Sequence, residues 1–294
     1  MTQLISKLQY KKSEKGEFAQ IAPRNLQDTL KLIQEYPWAT ERSLASVELT
    51  CPSVTIEHPT GTYLKLGHYF SGKFCLYYLD SRKKVYFKVA PTLQEASEWI
   101  TDFFEKDGHI EGFEKYSFTW SRASYFITDT FEYVVDRMAS LRFFKFWQFM
   151  LVAAVIILMA DSIDRSRPVA IESIAALMLF VIFLAGPHIY FYFNYRSCDK
   201  NKYLQLSRAA DQFRFGPAGK EKTLSKREIQ RIEVHGVFGR GLWNDCFVYV
   251  ITLKNGESFT FTSLLMRYSV FQNKFPDHEA KRIKNNFPTV GRAV

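Results

Sequence analysis

Six histidines and four cysteines are the residues of this 294-residue chain best suited to hold a metal or act as nucleophile and base. Their spacing does not organise them for either task. His58, His68 and His109 lack the short repeats that bring ligands onto one metal, and no cysteine lies near enough in sequence to complete such a set. Cys51, Cys75, Cys198 and Cys246 contain no C-x-x-C pair, which predicts reduced thiols in a cytosolic setting. No G-x-S-x-G, H-E-x-x-H or P-loop occurs, and Gly236, Gly239 and Gly241 do not match G-x-G-x-x-G. The expectation is a chain without enzymatic activity, metal or cofactor. An active site would have to be assembled from positions distant in sequence.

Charge offers a different chemistry. Residues 194–294 carry 18 Lys+Arg against 9 Asp+Glu, whereas residues 1–142 balance at 18 and 18 and residues 143–193 at 3 and 3. The whole net charge of +9 therefore sits in the last hundred residues or so. Lys220, Lys222, Lys226, Arg227 and Arg231 cluster around one strand pair, and Arg240 lies with Trp243 in the loop "HGVFGRGLWND". Each such cation gains ~1 kcal/mol near an anionic leaflet, within a Debye length. These seven residues are the expected lipid- or partner-binding site, with Phe238, Leu242 and Trp243 dipping into the interface. Nucleic acid is not expected, because no helix-turn-helix, RRM signature or zinc finger accompanies the charge.

A lipid surface needs something to bring the site to it. "FWQFMLVAAVIILMA" (146–160) is uncharged for about 22 Å of helix, and residues 173–195 for about 34 Å. The hydrocarbon layer is ~30 Å thick. The second run spans it outright. The first does so with Phe143, Phe144 and Ser162–Ile163 added and Lys145 snorkelling. The expectation is a transmembrane hairpin: a first helix over 143–163, a turn over 164–169 outside the membrane, and a second helix over 170–194. Both aromatic clusters, "FFKFWQF" and "HIYFYFNY", fall at one membrane face. Arg137, Arg142, Arg196, Lys200 and Lys202 flank the hairpin on that side, which predicts two cytoplasmic termini. Pro187 should kink the second helix. Glu172 and His188 lie near its ends and read as interfacial residues of an anchor; in an oligomeric channel or transporter subunit they would serve an ion path. The opening residues have no apolar core of the signal-peptide kind, so residues 1–140 are expected to stay in the cytosol.

Residues 1–140 read as an α+β domain. A helix follows Asn25, with Leu26, Leu30 and Ile33 on one face and Pro37 ending it. Strand candidates "SVTIEH", "TYLKLGHYF", "KFCLYYL" and "KVYFKVA" alternate with turns, and Thr92 and Glu95 form a capping box opening a second helix. "KYSFTW" and "SYFIT" continue as strands. In order of elements, residues 20–110 are similar to the compact immunity domains with which bacteria neutralise toxins. Such a resemblance implies an unidentified protein partner, a toxin among the possibilities.

Residues 196–294 read as short strands: "YLQLS", "QFRFG", "KTLS", "IQRIEVH", "CFVYVITLK" and "ESFTFTSL", with Asn255-Gly256 favouring a type I′ turn. "SLLMRYSVFQNKFP" and "DHEAKRIKNNFP" read as closing helices. Over residues 203–290 this order, with "DQFRFGPAGKEKTLSKREIQRIEV" and "VYVITLKNGESFTF", resembles the bacterial pleckstrin-homology-like domains that follow membrane hairpins. The resemblance implies a mainly-β platform docking on lipid or protein. The sequence as a whole predicts a bacterial inner-membrane, multi-pass protein acting as a tethered binding or scaffold module, with homo-oligomers possible. Toxin immunity and a channel subunit are the alternatives.

Overall fold

Strands of alternating character, interrupted by polar turns, build most of the chain. The computed structural model describes residues 2–42, 52–116, 123–164, 171–239 and 244–293. Two units result: Met1–Thr130 with Ser207–Ala209, and Phe131–Leu206 with Ala210–Val294.

The first unit opens with β1 (Leu4–Gln9) and β2 (Ala19–Arg24), then α1 (Leu26–Glu35) and α2 (Trp38–Arg42). β3 (Ser53–Glu57), β4 (Tyr63–His68), β5 (Phe74–Leu79) and β6 (Val85–Ala90) follow as a meander, then α3 (Leu93–Glu105) and β7 (Glu114–Lys115). They form one antiparallel sheet of seven strands in the order β2-β1-β3-β4-β5-β6-β7. Both predicted caps are formed: Asn25 Oδ1 accepts from Asp28 N at 2.9 Å and Thr92 Oγ1 from Glu95 N at 3.2 Å. Pleating sends Val54, Ile56, Leu64, Leu66 and Leu76 to one face, where Ile33 of α1, Trp38 of α2 and Ile100 and Phe103 of α3 cover them. The "EYPW" aromatics belong to this core: Tyr36 donates to Gln9 O at 2.7 Å and Trp38 Nε1 to Ile33 O at 2.8 Å.

The opposite face is buried as well, which the sequence pattern did not suggest. Tyr63, Cys75, Tyr77, Leu79 and Val85 pack there with Phe126. Two lysines lie among them at 1% exposure. Lys7 Nζ pairs with Glu57 Oε2 at 3.0 Å, and Lys65 Nζ donates to Gln9 Oε1 at 2.7 Å and Tyr125 O at 3.1 Å. Burial lowers the Lys7 pKa while Glu57 opposes the shift. The covering piece is "SYFIT", which forms a 3-10 turn (Ala123–Tyr125) rather than the expected strand. Much of "KYSFTW" lies outside the described residues.

The second unit starts earlier than the 140/143 boundary suggests. β8 (Glu132–Val134) precedes α4 (Arg137–Phe143), α5 (Lys145–Asp164) and α6 (Ile171–Asp199), yet pairs with β9 (Lys202–Gln205) beyond them. β10 (Gln212–Pro217) and β11 (Lys222–Ser225) complete a sheet ordered β11-β10-β9-β8. β12 (Ile229–Gly236), β13 (Phe247–Leu253) and β14 (Ser258–Thr262) form the second sheet, followed by α7 (Tyr268–Phe271), β15 (Ala280–Lys284) and α8 (Val290–Ala293). The core lies among residues of both sheets, including Leu204, Phe213, Ile232, Tyr249 and Phe261, closed by Phe271 and Phe275.

Three expectations are corrected. "DHEAKRIKNNFP" is no helix: Ala280–Lys284 is a strand lying parallel to β12 and pairing its outer edge, and α7 and α8 are single turns. An open edge of backbone donors and acceptors outweighs the weak helical pattern of those residues. At Asn255-Gly256 only the glycine has positive φ (+83°), so the loop is a type I turn with a glycine bulge, closed by Gly256 N to Leu253 O at 2.9 Å. Phe143 and Phe144 do not extend the first apolar helix, because α4 and α5 meet at a bend of 60°. Among the described residues no single helix is long and apolar enough to cross a bilayer; Arg137–Phe143 and Lys145–Ile156 together meet that length and composition. α6 continues as one helix through Pro187.

His68 provides a pH test of the first unit. It is buried beside Trp38 and Phe74, and its Nδ1 accepts from Arg42 Nε at 3.3 Å. Burial, helped by the Arg42 charge, pushes its pKa down from 6.5 to about 4. The unfolded chain therefore takes up the proton first. Stability should be full above pH 6.5 and fall as pH drops towards 4, by up to about 3 kcal/mol at ~1.36 kcal/mol per unit. His68→Phe, which keeps a ring in place, should remove this component from acid-unfolding curves.

Candidate functional site

The predicted basic cluster does not form one face. β10 and β11 are antiparallel, with Phe215 opposite Lys222 and Gln212 opposite Ser225. Pro217 pairs with Lys202 and Ala218 N donates to Asn201 O at 2.9 Å, so the β10–β11 turn adjoins the end of α6. Lys220 and Lys222 lie at this end. Lys226 and Arg227 lie at the other, about 15 Å away at ~3.3 Å per residue.

Several of these charges are already engaged. Lys222 Nζ meets Glu257 Oε1 at 2.6 Å, Arg227 meets Asp211 at 2.5 Å, and Arg231 meets Glu233 at 3.5 Å. Lys226 is buried, with its ammonium 5.8 Å from the Phe275 ring centre. That position removes it from a surface role: its long stem packs against the core. Lys220 is exposed and has no carboxylate partner among the described residues. Arg240, Leu242 and Trp243 lie outside the described residues. Phe238 is half-buried against Phe247 and Tyr268 instead of projecting freely.

Sequence reasoning missed the site at the base of the helical pair. α6 enters the β unit along a stripe of buried residues, Ala185, His188, Phe191, Tyr195 and Asp199, spaced three or four apart on one helical face. Phe191 and Tyr195 pack with Cys246, Val248 and Leu264. Tyr195 donates to Pro288 O at 2.7 Å. Asp199 ends the stripe without solvent exposure, accepting from Thr262 N at 3.0 Å and Thr262 Oγ1 at 2.6 Å, with Lys202 at 3.6 Å. Burial raises its pKa, against the pull of the Thr262 donors and Lys202. The two aromatic clusters meet here: Phe143 lies 4.4 Å from His188 and Phe144 4.9 Å from Tyr192, between ring centres.

Beside this packing is a cavity of about 790 Å³ lined by α4 and the start of α5, by His188, and by residues 244–247 and 263–270. Arg142, Lys145 and Arg267 line it, against the single carboxylate of Asp245. Unlike Lys222, Arg227 and Arg231, these three have no carboxylate partner among the described residues. The sequence signal was present in "RFFKFW", where cations alternate with aromatics, but Arg267 is far away in the chain.

No group of three His, Cys, Asp or Glu able to hold a metal occurs among the described residues. His58 joins Thr60 Oγ1 at 2.7 Å and Asp107 Oδ1 at 3.2 Å, a tie between a hairpin turn and the end of α3. Cys75, Cys198 and Cys246 form no disulfide among the described residues, and Cys51 lies outside them.

Asp199→Ala would leave buried Thr262 donors unpaired and should cost about 1–3 kcal/mol. Lys222→Gln, which breaks an exposed pair, should cost under ~1 kcal/mol. Thermal melts of the two variants compare these directly.

No curated protein and no solved structure matches the chain. A family model described as PH domain matches residues 132–274, just under half of the sequence. The match starts at β8 and runs through the β14–α7 region, taking in both sheets. The second unit thus contains a PH domain whose first strand is separated from the others by the three helices α4, α5 and α6.

Proposed function

We propose that this protein is a non-enzymatic, membrane-tethered binding module. The α5–α6 pair crosses the bacterial inner membrane as a hairpin, both flanking units lie on the cytoplasmic side, and the PH domain is seated against anionic lipid. The observation that carries this reading is the continuity of α6. One helix of 29 residues, about 43 Å, runs from the uncharged sequence into the β unit and ends on buried Asp199. A domain joined in this way is held at the membrane surface without a linker.

Charge supports the same orientation. Arg142, Lys145 and Arg267 line the cavity at the helical base. Each would gain ~1 kcal/mol beside anionic headgroups. The exposed pairs at Lys222 and Arg227 are weak in water, so headgroup phosphate can compete for those cations. The first unit, a seven-stranded antiparallel sheet with a helical layer, serves in this reading to recognise a protein partner.

Reporter fusions at the two ends test the topology. Both should report the cytoplasm, and the intact chain should remain in the membrane pellet after alkaline carbonate. Opposite compartments, or release into the supernatant, would refute the hairpin.

A further inference from the structure

The cavity at the base of the helical pair contains a donor with no acceptor. Trp147 is 7% exposed and lines the cavity, and its indole Nε1 has no hydrogen-bond partner among the described residues. A buried N–H left unpaired is costly, so such a group commonly marks the place of a ligand or water oxygen. Around it stand Arg142, Lys145 and Arg267, cations without carboxylate partners among the described residues. At about 790 Å³ the space lies within the ~300–1,000 Å³ of small-molecule sites.

The apolar side of the cavity selects the ligand class. Phe146 and Phe149 line it and are also exposed at 47% and 68%, and Met150 continues the exposed apolar surface of α5 at 41%. A soluble anion would satisfy the cations and leave that surface uncovered. A molecule with a phosphate at one end and alkyl chains at the other satisfies both.

We propose that the cavity holds one anionic glycerophospholipid. Its phosphate lies among Arg142, Lys145 and Arg267, a phosphate or ester oxygen accepts from Trp147 Nε1, and its acyl chains run along Phe146, Phe149 and Met150. This rests on the reading that the helical pair lies in a bilayer, and it adds a defined site to a diffuse electrostatic attraction. The lipid would join α4–α5 to the 263–270 segment and so fix the bend between α4 and α5.

The test is native mass spectrometry of the full-length chain in micelles doped with phosphatidylglycerol or phosphatidylcholine. One phosphatidylglycerol should be retained per chain, with at least tenfold preference over phosphatidylcholine. Replacing Arg142, Lys145 and Arg267 together by Gln should lower that affinity tenfold or more, and Trp147→Phe, which removes only the N–H and ring size, severalfold. Equal retention of the two lipids, or variants that bind as the parent does, would overturn the proposal. So would displacement by an equal concentration of soluble glycerol phosphate, which marks a site for a free anion. Alkaline carbonate separates the two levels. A chain that stays in the membrane without lipid preference defeats this site alone, whereas a chain that is extracted defeats the hairpin and the site together.

Discussion

The second unit depends on how a helix ends. α6 finishes inside a β-sheet domain, and its last residue is a buried carboxylate held by the backbone and hydroxyl of Thr262. A carboxylate at a helix C-terminus faces the negative end of the helix dipole and loses hydration on burial. Both terms oppose placing Asp199 there. The Thr262 donors and the Lys202 ammonium offset them only in the observed position, which makes the interaction specific even where its net contribution is small. Tyr195 and Phe191, one and two turns earlier, add apolar burial that has no comparable penalty. Helix and sheet are therefore joined by packing, and a tilt of α6 would disturb β14 directly.

The same junction explains why the PH domain tolerates an interruption of its first strand pair. β8 and β9 are adjacent in the sheet although α4, α5 and α6 lie between them in sequence. Closing a long loop costs entropy that grows only slowly with length, and two helices packed on each other behave as a shorter, stiffer connection than their residue count implies. Contact between the aromatic clusters at the base brings the ends of the insertion together, so the strands meet in register.

Charge is distributed by a related logic. Cations on the strands find carboxylates on nearby turns, as Lys222 does with Glu257 and Arg214 with Glu221. Cations at the helical base face a cavity and one aspartate instead. Net charge in the sequence could not distinguish these two populations. Similarly, Lys7 and Lys65 count as surface charge in a composition yet lie beneath a covering turn, with polar partners supplied from residues distant in the chain.

Much of the local architecture was determined by sequence alone. Strands β3 to β6 and β9 to β14, the caps at Asn25 and Thr92 and the PH-like order of elements all follow from interactions within a few residues, which side-chain alternation and capping chemistry report. Tertiary structure decided what depends on distant partners. It made residues 280–284 a strand because β12 had an edge to pair, covered the second face of the first sheet with a turn, placed β8 across the helical insertion, and paired some cations while leaving others facing a cavity. Periodicity carries information about which face of an element is apolar. It carries none about what lies opposite that face, and there the burial and charge pairing of this protein were settled.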